Sequence, residues 1–299
     1  MTTETVSDLY QGLDAWSAGD IMRAITEGNA RAVRAVESAL PRLEAAAAGI
    51  EPRLRAGGRL FYAGAGTSGR LGVMDAAELA PTFGFDRTEV LLAGGGDAQE
   101  KAQEGAEDDV AAAAAAVDRA AVGPDDALIG VAASGRTPYT VAAVKRARER
   151  GAFTVGLANN ADTPLLTVGD VGVLLDTGPE VLAGSTRLAA GTAQKAALNA
   201  ISTAVLVRLG GAYDNLMVGM RPLNAKLKKR AVEIVAQAAG LESSQAEAVL
   251  DDAGGDIRTA IVMAGTGRDS AAAGSLLVEN GYSVRAAIAA AVAPGRRAG

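Results

Sequence analysis

The chain has no cysteine and no histidine. That excludes a disulfide framework, a Cys/His zinc site and a cysteine nucleophile. It also removes the imidazole that a Ser-His-Asp triad or a proton shuttle needs. Proton transfer near neutral pH would fall to a carboxylate, a lysine or a tyrosine. Aromatics make up only 3% of the 299 residues, so a core must be built from Ala, Val, Leu and Ile. No stretch approaches the roughly 20 apolar residues of a membrane span, and the Ala-rich windows at 111–116 and 286–292 are short. The opening MTTETVSDLYQGLD lacks the apolar centre of a signal peptide, so a cytoplasmic protein with no membrane partner is expected. A net charge of −6 argues against a nucleic-acid partner. The one compact basic run, Lys226-Leu227-Lys228-Lys229-Arg230, reads as a solvated helix start.

What is present is an ordinary folded composition, 49% hydrophobic and 21% charged. Residues 17–56 place Ile21, Ile25, Val33, Val36, Leu40, Leu43 and Leu54 at helical spacing. After Gly57-Gly58 the texture changes to short apolar runs at 59–64, 89–93, 127–132, 153–157 and 171–175, which read as buried strands. Amphipathic stretches at 69–80, 98–121 and 137–150 alternate with them, 160–168 allows only a turn or two, and a long helix is expected over 187–209. Strands alternating with helices predict an α/β fold, a doubly wound, parallel five-stranded sheet of flavodoxin-like type. Around it we expect N-terminal helices over 1–50, the sheet domain over 51–222 and a small helical appendage over 223–299. The appendage reads as about three helices after a connecting one, with a frayed tail at 294–299.

Ligands of open parallel sheets bind beyond the carboxyl ends of the strands. Two such places carry the same triplet: Gly64-Ala65-Gly66-Thr67-Ser68-Gly69-Arg70 after the first strand, and Ala133-Ser134-Gly135-Arg136-Thr137-Pro138 after the third. Strand-to-helix turns of this kind offer free amides, hydroxyls and a helix dipole, which together suit a phosphate. The candidate phosphate contacts are therefore Thr67, Ser68, Gly69 and Arg70, with Ser134, Gly135, Arg136 and Thr137. Gly64-x-Gly66-x-x-Gly69 also satisfies a dinucleotide fingerprint, but the second strand does not end in the acidic residue that a ribose needs. A third cluster holds Glu180, Ser185 and Lys195; taken alone it reads as capping and a surface lysine, and with the loops it could complete a sugar pocket.

The segments GAGTSGRLGVMDAAELAPTFG, AGGGDAQEKAQEGAEDD, GVAASGRTPY, GPEVLAGSTRLAAGTAQKAALN and DNLMVGMRPLNAKL strongly resemble the N-acetylmuramic acid 6-phosphate etherases. The resemblance runs in order from about residue 17 to about 265. It implies the sugar isomerase (SIS) phosphosugar fold, with the last segment similar to a ubiquitin-associated (UBA-like) helical end. It further implies cleavage of the lactyl ether to N-acetylglucosamine 6-phosphate and D-lactate in cell-wall sugar recycling, by a homodimer that uses no metal and no cofactor. The implied route is ring opening, removal of the C2 proton, loss of the C3 ether oxygen and addition of water. By resemblance, Glu78 in Asp75-Ala76-Ala77-Glu78 is the acid and Glu107 in Glu104-Gly105-Ala106-Glu107-Asp108 is the C2 base. Outside the resemblance each reads as a solvated helix residue among acidic neighbours.

An acid at neutral pH needs burial, so Glu78 is expected to be desolvated. On straight helices at ~1.5 Å per residue, both glutamates would stand about 15 Å from their loops. Pro81 is expected to stop the first helix near residue 80 and Gly105 to break the second. The expectation that follows is a pocket at a dimer interface, with a carboxylate supplied across it. The chain departs from the family pattern in lacking an Arg-Asn stretch near its start and in having Leu188-Ala189-Ala190 where Met-Lys-Ala is common. Two rivals share the fold: an aldose–ketose isomerase, which needs no acid at C3, and a non-catalytic sugar-phosphate sensor.

Overall fold

A computed structural model describes residues 3–99, 103, 105–222 and 224–292. The expected tail at 294–299 lies outside them. The chain divides into two compact units, residues 1–77 with 87–203 and residues 78–86 with 204–299.

The first unit opens with α1 (Ala18–Ser38) and α2 (Leu40–Arg55). Ser17 caps α1 by accepting from the Asp20 amide at 3.2 Å. Then come β1 (Leu60–Gly64), α3 (Gly66–Phe83), β2 (Thr88–Leu92), α4 (Val110–Arg119), β3 (Ala127–Val131), α5 (Pro138–Glu149), β4 (Phe153–Ala158), α6 (Leu165–Val168), β5 (Val171–Leu174) and α7 (Ala189–Leu206). The division between units falls inside α3 and α7. The five strands are parallel in the order β2-β1-β3-β4-β5. The direction of winding therefore reverses between β1 and β3, which opens a crevice at their carboxyl ends.

Every residue of β1 and β3 is buried, as a sheet covered on both faces requires. Phe61, Ala63 and Leu128 face a cluster with Val117, Tyr139 and Val144. With so few aromatics the layers sit close: a Cβ on Gly72 of α3 would lie 2.9 Å from Tyr62 Cβ on β1.

The stretch 98–121 is broken at Gly105, as expected: a 3-10 turn at Gly96–Gln99 and another at Ala106–Asp108 precede α4. Gly105 turns the chain at φ 74°, and Asp109 then caps α4 by accepting from the Ala112 amide at 2.8 Å. Pro81, expected to end the first helix, is instead held inside α3 two residues before its end, where it leaves the Ala77 carbonyl without its helical amide donor.

The second unit holds a short antiparallel pair, β6 (Ala212–Tyr213) and β7 (Leu216–Met217). It continues with α8 (Ala225–Ala239), α9 (Ser243–Asp252), α10 (Ile257–Thr266), α11 (Ser270–Glu279) and α12 (Val284–Val292). Four helices thus follow the connecting one, against the three expected. Polar residues start them: Asn224, Asp256 and Asp269 accept from the amides of Leu227, Thr259 and Ala272. Val235, Ala246, Leu250, Ile261 and Leu277 form the unit's own core.

Candidate active site

The loops that follow β1 and β3 leave neighbouring strands at the crevice, and each Ser-Gly-Arg triplet is built differently. After β1, Gly69 lies against the strand end: a Cβ there would come within 2.8 Å of Gly64 O and 2.4 Å of Leu92 Cδ1. Ser68 is buried, and its hydroxyl donates to Gln194 Oε1 at 2.9 Å. Gln194, 1% exposed, donates to Asn159 Oδ1 at 2.8 Å, and Asn159 donates to Leu175 O at 3.0 Å. One buried chain of side chains thereby ties the ends of β1, β4 and β5 to α7. Thr67 is half-buried beside Gly191, and Arg70 Nε donates to Ala98 O at 3.1 Å.

After β3, Gly135 has φ 65°, and a Cβ there would meet Thr163 Oγ1 at 2.2 Å. The Arg136 amide donates to Ser134 Oγ at 3.1 Å, and Ser134 Oγ lies 3.5 Å from Thr137 Oγ1. Arg136 is exposed and donates to Asp162 O at 3.0 Å. Thr137 stands at the N-cap of α5 with no side-chain cap bond, and Pro138 opens the helix. The first-turn amides of α5 therefore have no side-chain partner at the cap, the arrangement an oxyanion can complete.

In the third cluster Glu180 is structural. Glu180, 1% exposed, accepts from the Ala189 and Ala190 amides at 2.9 Å each and so caps α7. Ser185 is half-buried in that loop. Lys195 is exposed and donates to Asn199 Oδ1. Asn199 in turn donates to Asp75 Oδ1 at 2.6 Å, while the Tyr62 hydroxyl donates to Asp75 Oδ2 at 2.6 Å. Burial, with Asp75 beside it, pushes the Tyr62 phenol well above its ordinary value.

Glu107 is exposed on the turn Ala106–Asp108, which packs against α5 through Ala106 and the core. The straight helix assumed for it does not exist. Glu78 is exposed on α3 and is counted with the second unit. The desolvation expected for it is therefore not present in a single chain.

Sequence reasoning missed Gln194, Asn159 and Asp75 as organisers. Gln194 carried a signal, a polar residue on the α7 face otherwise made of Ala190, Ala193, Ala197 and Leu198. It also missed the start of the chain. The Thr3 amide donates to Asn160 Oδ1 at 2.9 Å, Asn160 Nδ2 donates to Thr3 Oγ1 at 3.0 Å and to Ala133 O at 2.8 Å, and the Gly184 amide donates to Thr3 O at 3.3 Å.

A parallel sheet with paired serine loops at its switch point defines a class, and residues 108–204 match the SIS domain. Residues 44–148 match the glucokinase regulatory protein N-terminal SIS domain. The chain is 50% identical over 263 residues to an N-acetylmuramic acid 6-phosphate etherase of Deinococcus radiodurans, covering 87% of this chain and 86% of that one. It is 48% identical over 284 residues to the etherase of Rubrobacter xylanophilus, with 92% and 94% covered, and 46% identical over 294 residues to that of Streptomyces coelicolor, with 98% and 94% covered. The chain belongs to the N-acetylmuramic acid 6-phosphate etherase family. Among the described residues no helix is long and apolar enough to cross a membrane.

Proposed function

We propose that this protein cleaves the D-lactyl ether of N-acetylmuramic acid 6-phosphate, giving N-acetylglucosamine 6-phosphate and D-lactate. The observation that carries the reading is the 50% identity over 87% of the chain with an etherase.

The phosphate sits at the α5 amides with Ser134, Gly135, Arg136 and Thr137, and the loop of Thr67, Ser68, Gly69 and Arg70 faces it across the switch point. Gln194 and Asn159 hold Ser68 in place. Ser185 and Lys195 face the sugar, and Glu180 acts through the helix it caps. With the ring open, the C1 aldehyde acidifies the C2 proton, which Glu107 removes. Glu78 protonates the C3 ether oxygen as the C3–O bond breaks, leaving D-lactate and a 2,3-unsaturated aldehyde. Water adds at C3, and C2 regains a proton. No metal or other cofactor enters this scheme.

An exposed Glu78 about 15 Å along an unbroken helix from Ser68 favours a site completed by a second copy of the chain. A homodimer would supply one carboxylate across the interface and the desolvation an acid needs. We place the enzyme in the cytoplasm, in the reuse of cell-wall amino sugars.

D-lactate release from N-acetylmuramic acid 6-phosphate tests the reading. Glu78→Gln and Glu107→Gln should each lower kcat by roughly 10²–10⁴-fold, with C2 proton exchange surviving only in Glu78→Gln. A wild type that releases no lactate yet binds hexose 6-phosphates tightly is a sensor, and one that interconverts aldose and ketose is an isomerase. Either result overturns the proposal.

A further inference from the structure

Arg31 and Arg34 stand one turn apart on α1, and Arg42 follows in the first turn of α2. Like charges crowded on neighbouring turns repel, so a chain that gathers them usually sets carboxylates between them. Here the three arginines line a cleft of about 1100 Å³ between these helices, residues 7–10 and the edge strand β5. Arg31 donates to Tyr10 Oη at 3.1 Å and to Pro179 O at 3.4 Å, and Arg42 donates to Gly172 O at 2.9 Å. These acceptors are neutral. The Arg34 side chain has no hydrogen bond or ion pair among the described residues. Elsewhere in the same unit, guanidiniums find acids: Arg59 pairs with Asp126 and Glu89, and Arg146 with Asp118 and Glu149.

The acid in the cleft wall is Asp176, which accepts from the Gly178 amide at 3.3 Å; Glu27 and Glu37 of α1 do not line it. Three cations against one carboxylate leave a surplus of two positive charges in a chain of net charge −6. Beside Asp176, Thr177 keeps a buried hydroxyl with no hydrogen-bond partner. None of residues 67–70 or 134–137 lines the cleft, so it is separate from the paired serine loops.

The geometry points to a second oxyanion site in this cleft, one that takes a phosphate monoester or free phosphate. Guanidinium forks match phosphate oxygens two at a time, a dianion balances the surplus charge, and the volume suits a small phosphorylated metabolite. The inference does not depend on which reaction the serine loops support.

Calorimetric titration of the full chain at low ionic strength, where surface charge is least screened, tests it with inorganic phosphate and N-acetylglucosamine 6-phosphate. Wild type should show two phosphate sites per chain. In Arg34→Ala, and in Arg34→Gln as a milder change, one class should weaken about tenfold or more, with melting and phosphate-free lactate release unchanged. Filling of both sites by the sugar phosphate identifies a monoester site; filling of the second by inorganic phosphate alone identifies a free-phosphate site. Phosphate binding that both Arg34 variants leave undisturbed, whether wild type shows one site or two, or loss of turnover together with the site would overturn the inference.

Discussion

Helices α5 and α7 both begin near the carboxyl end of the sheet, yet their first turns are completed in different ways. At α7 the protein provides its own anion, with both Glu180 oxygens taken by the Ala189 and Ala190 amides. At α5, Thr137 makes no cap bond, and the Ser134 hydroxyl accepts from the Arg136 amide. The same physical need, acceptors for orphan amides, is met by a side chain in one case and by no side-chain cap in the other. A carboxylate near a helix start is thus a poor guide to a substrate contact until its partners are known.

Glu180→Ala should break the self-completed end most severely. It strands two buried amides and opens a cavity, at a cost of roughly 3 kcal/mol, read as a lower midpoint in urea. Next comes Gly135→Ala at the open end. Its φ of 65° and the close approach of Thr163 should cost about 2 kcal/mol in stability. Ser134→Ala sharpens the contrast: stability within about 0.5 kcal/mol of wild type, but substrate KM raised roughly tenfold, about 1.4 kcal/mol. The smallest effect is alkaline. Burial and Asp75 hold the Tyr62 phenol above its ordinary 10.0, so the folded state keeps a proton that the unfolded chain releases. Stability is full below pH 10 and declines above it, by at most about 1.4 kcal/mol per pH unit. Denaturation of Tyr62→Phe alongside wild type between pH 9 and 11 should show this part of the slope lost.

The sheet was legible because each strand is a short apolar run between glycines or charged residues; the runs at 59–64, 127–132 and 171–175 fall within a residue of β1, β3 and β5. The serine loops were legible because topology puts them at the switch point. In the stretch 98–121 the break at Gly105 was legible, but the alanines satisfy helical spacing on both sides of Asp109, which decides where the helix starts. Pro81 misled because a proline so near a helix end deletes one bond of the ladder, that to Ala77 O, without ending the helix there. The Tyr62–Asp75–Asn199 cluster was out of reach: it joins side chains up to 137 positions apart, and no local pattern records that pairing.

Thr3 has a practical consequence for anyone producing the protein. Its amide, hydroxyl and carbonyl are all engaged by Asn160 and Gly184, among the loops that follow β3, β4 and β5. A purification tag joined ahead of Thr3 therefore emerges beside those loops. Kinetic work is best done after its removal, and any difference between tagged and cleaved preparations would measure how far the mouth of the site depends on that first anchored residue.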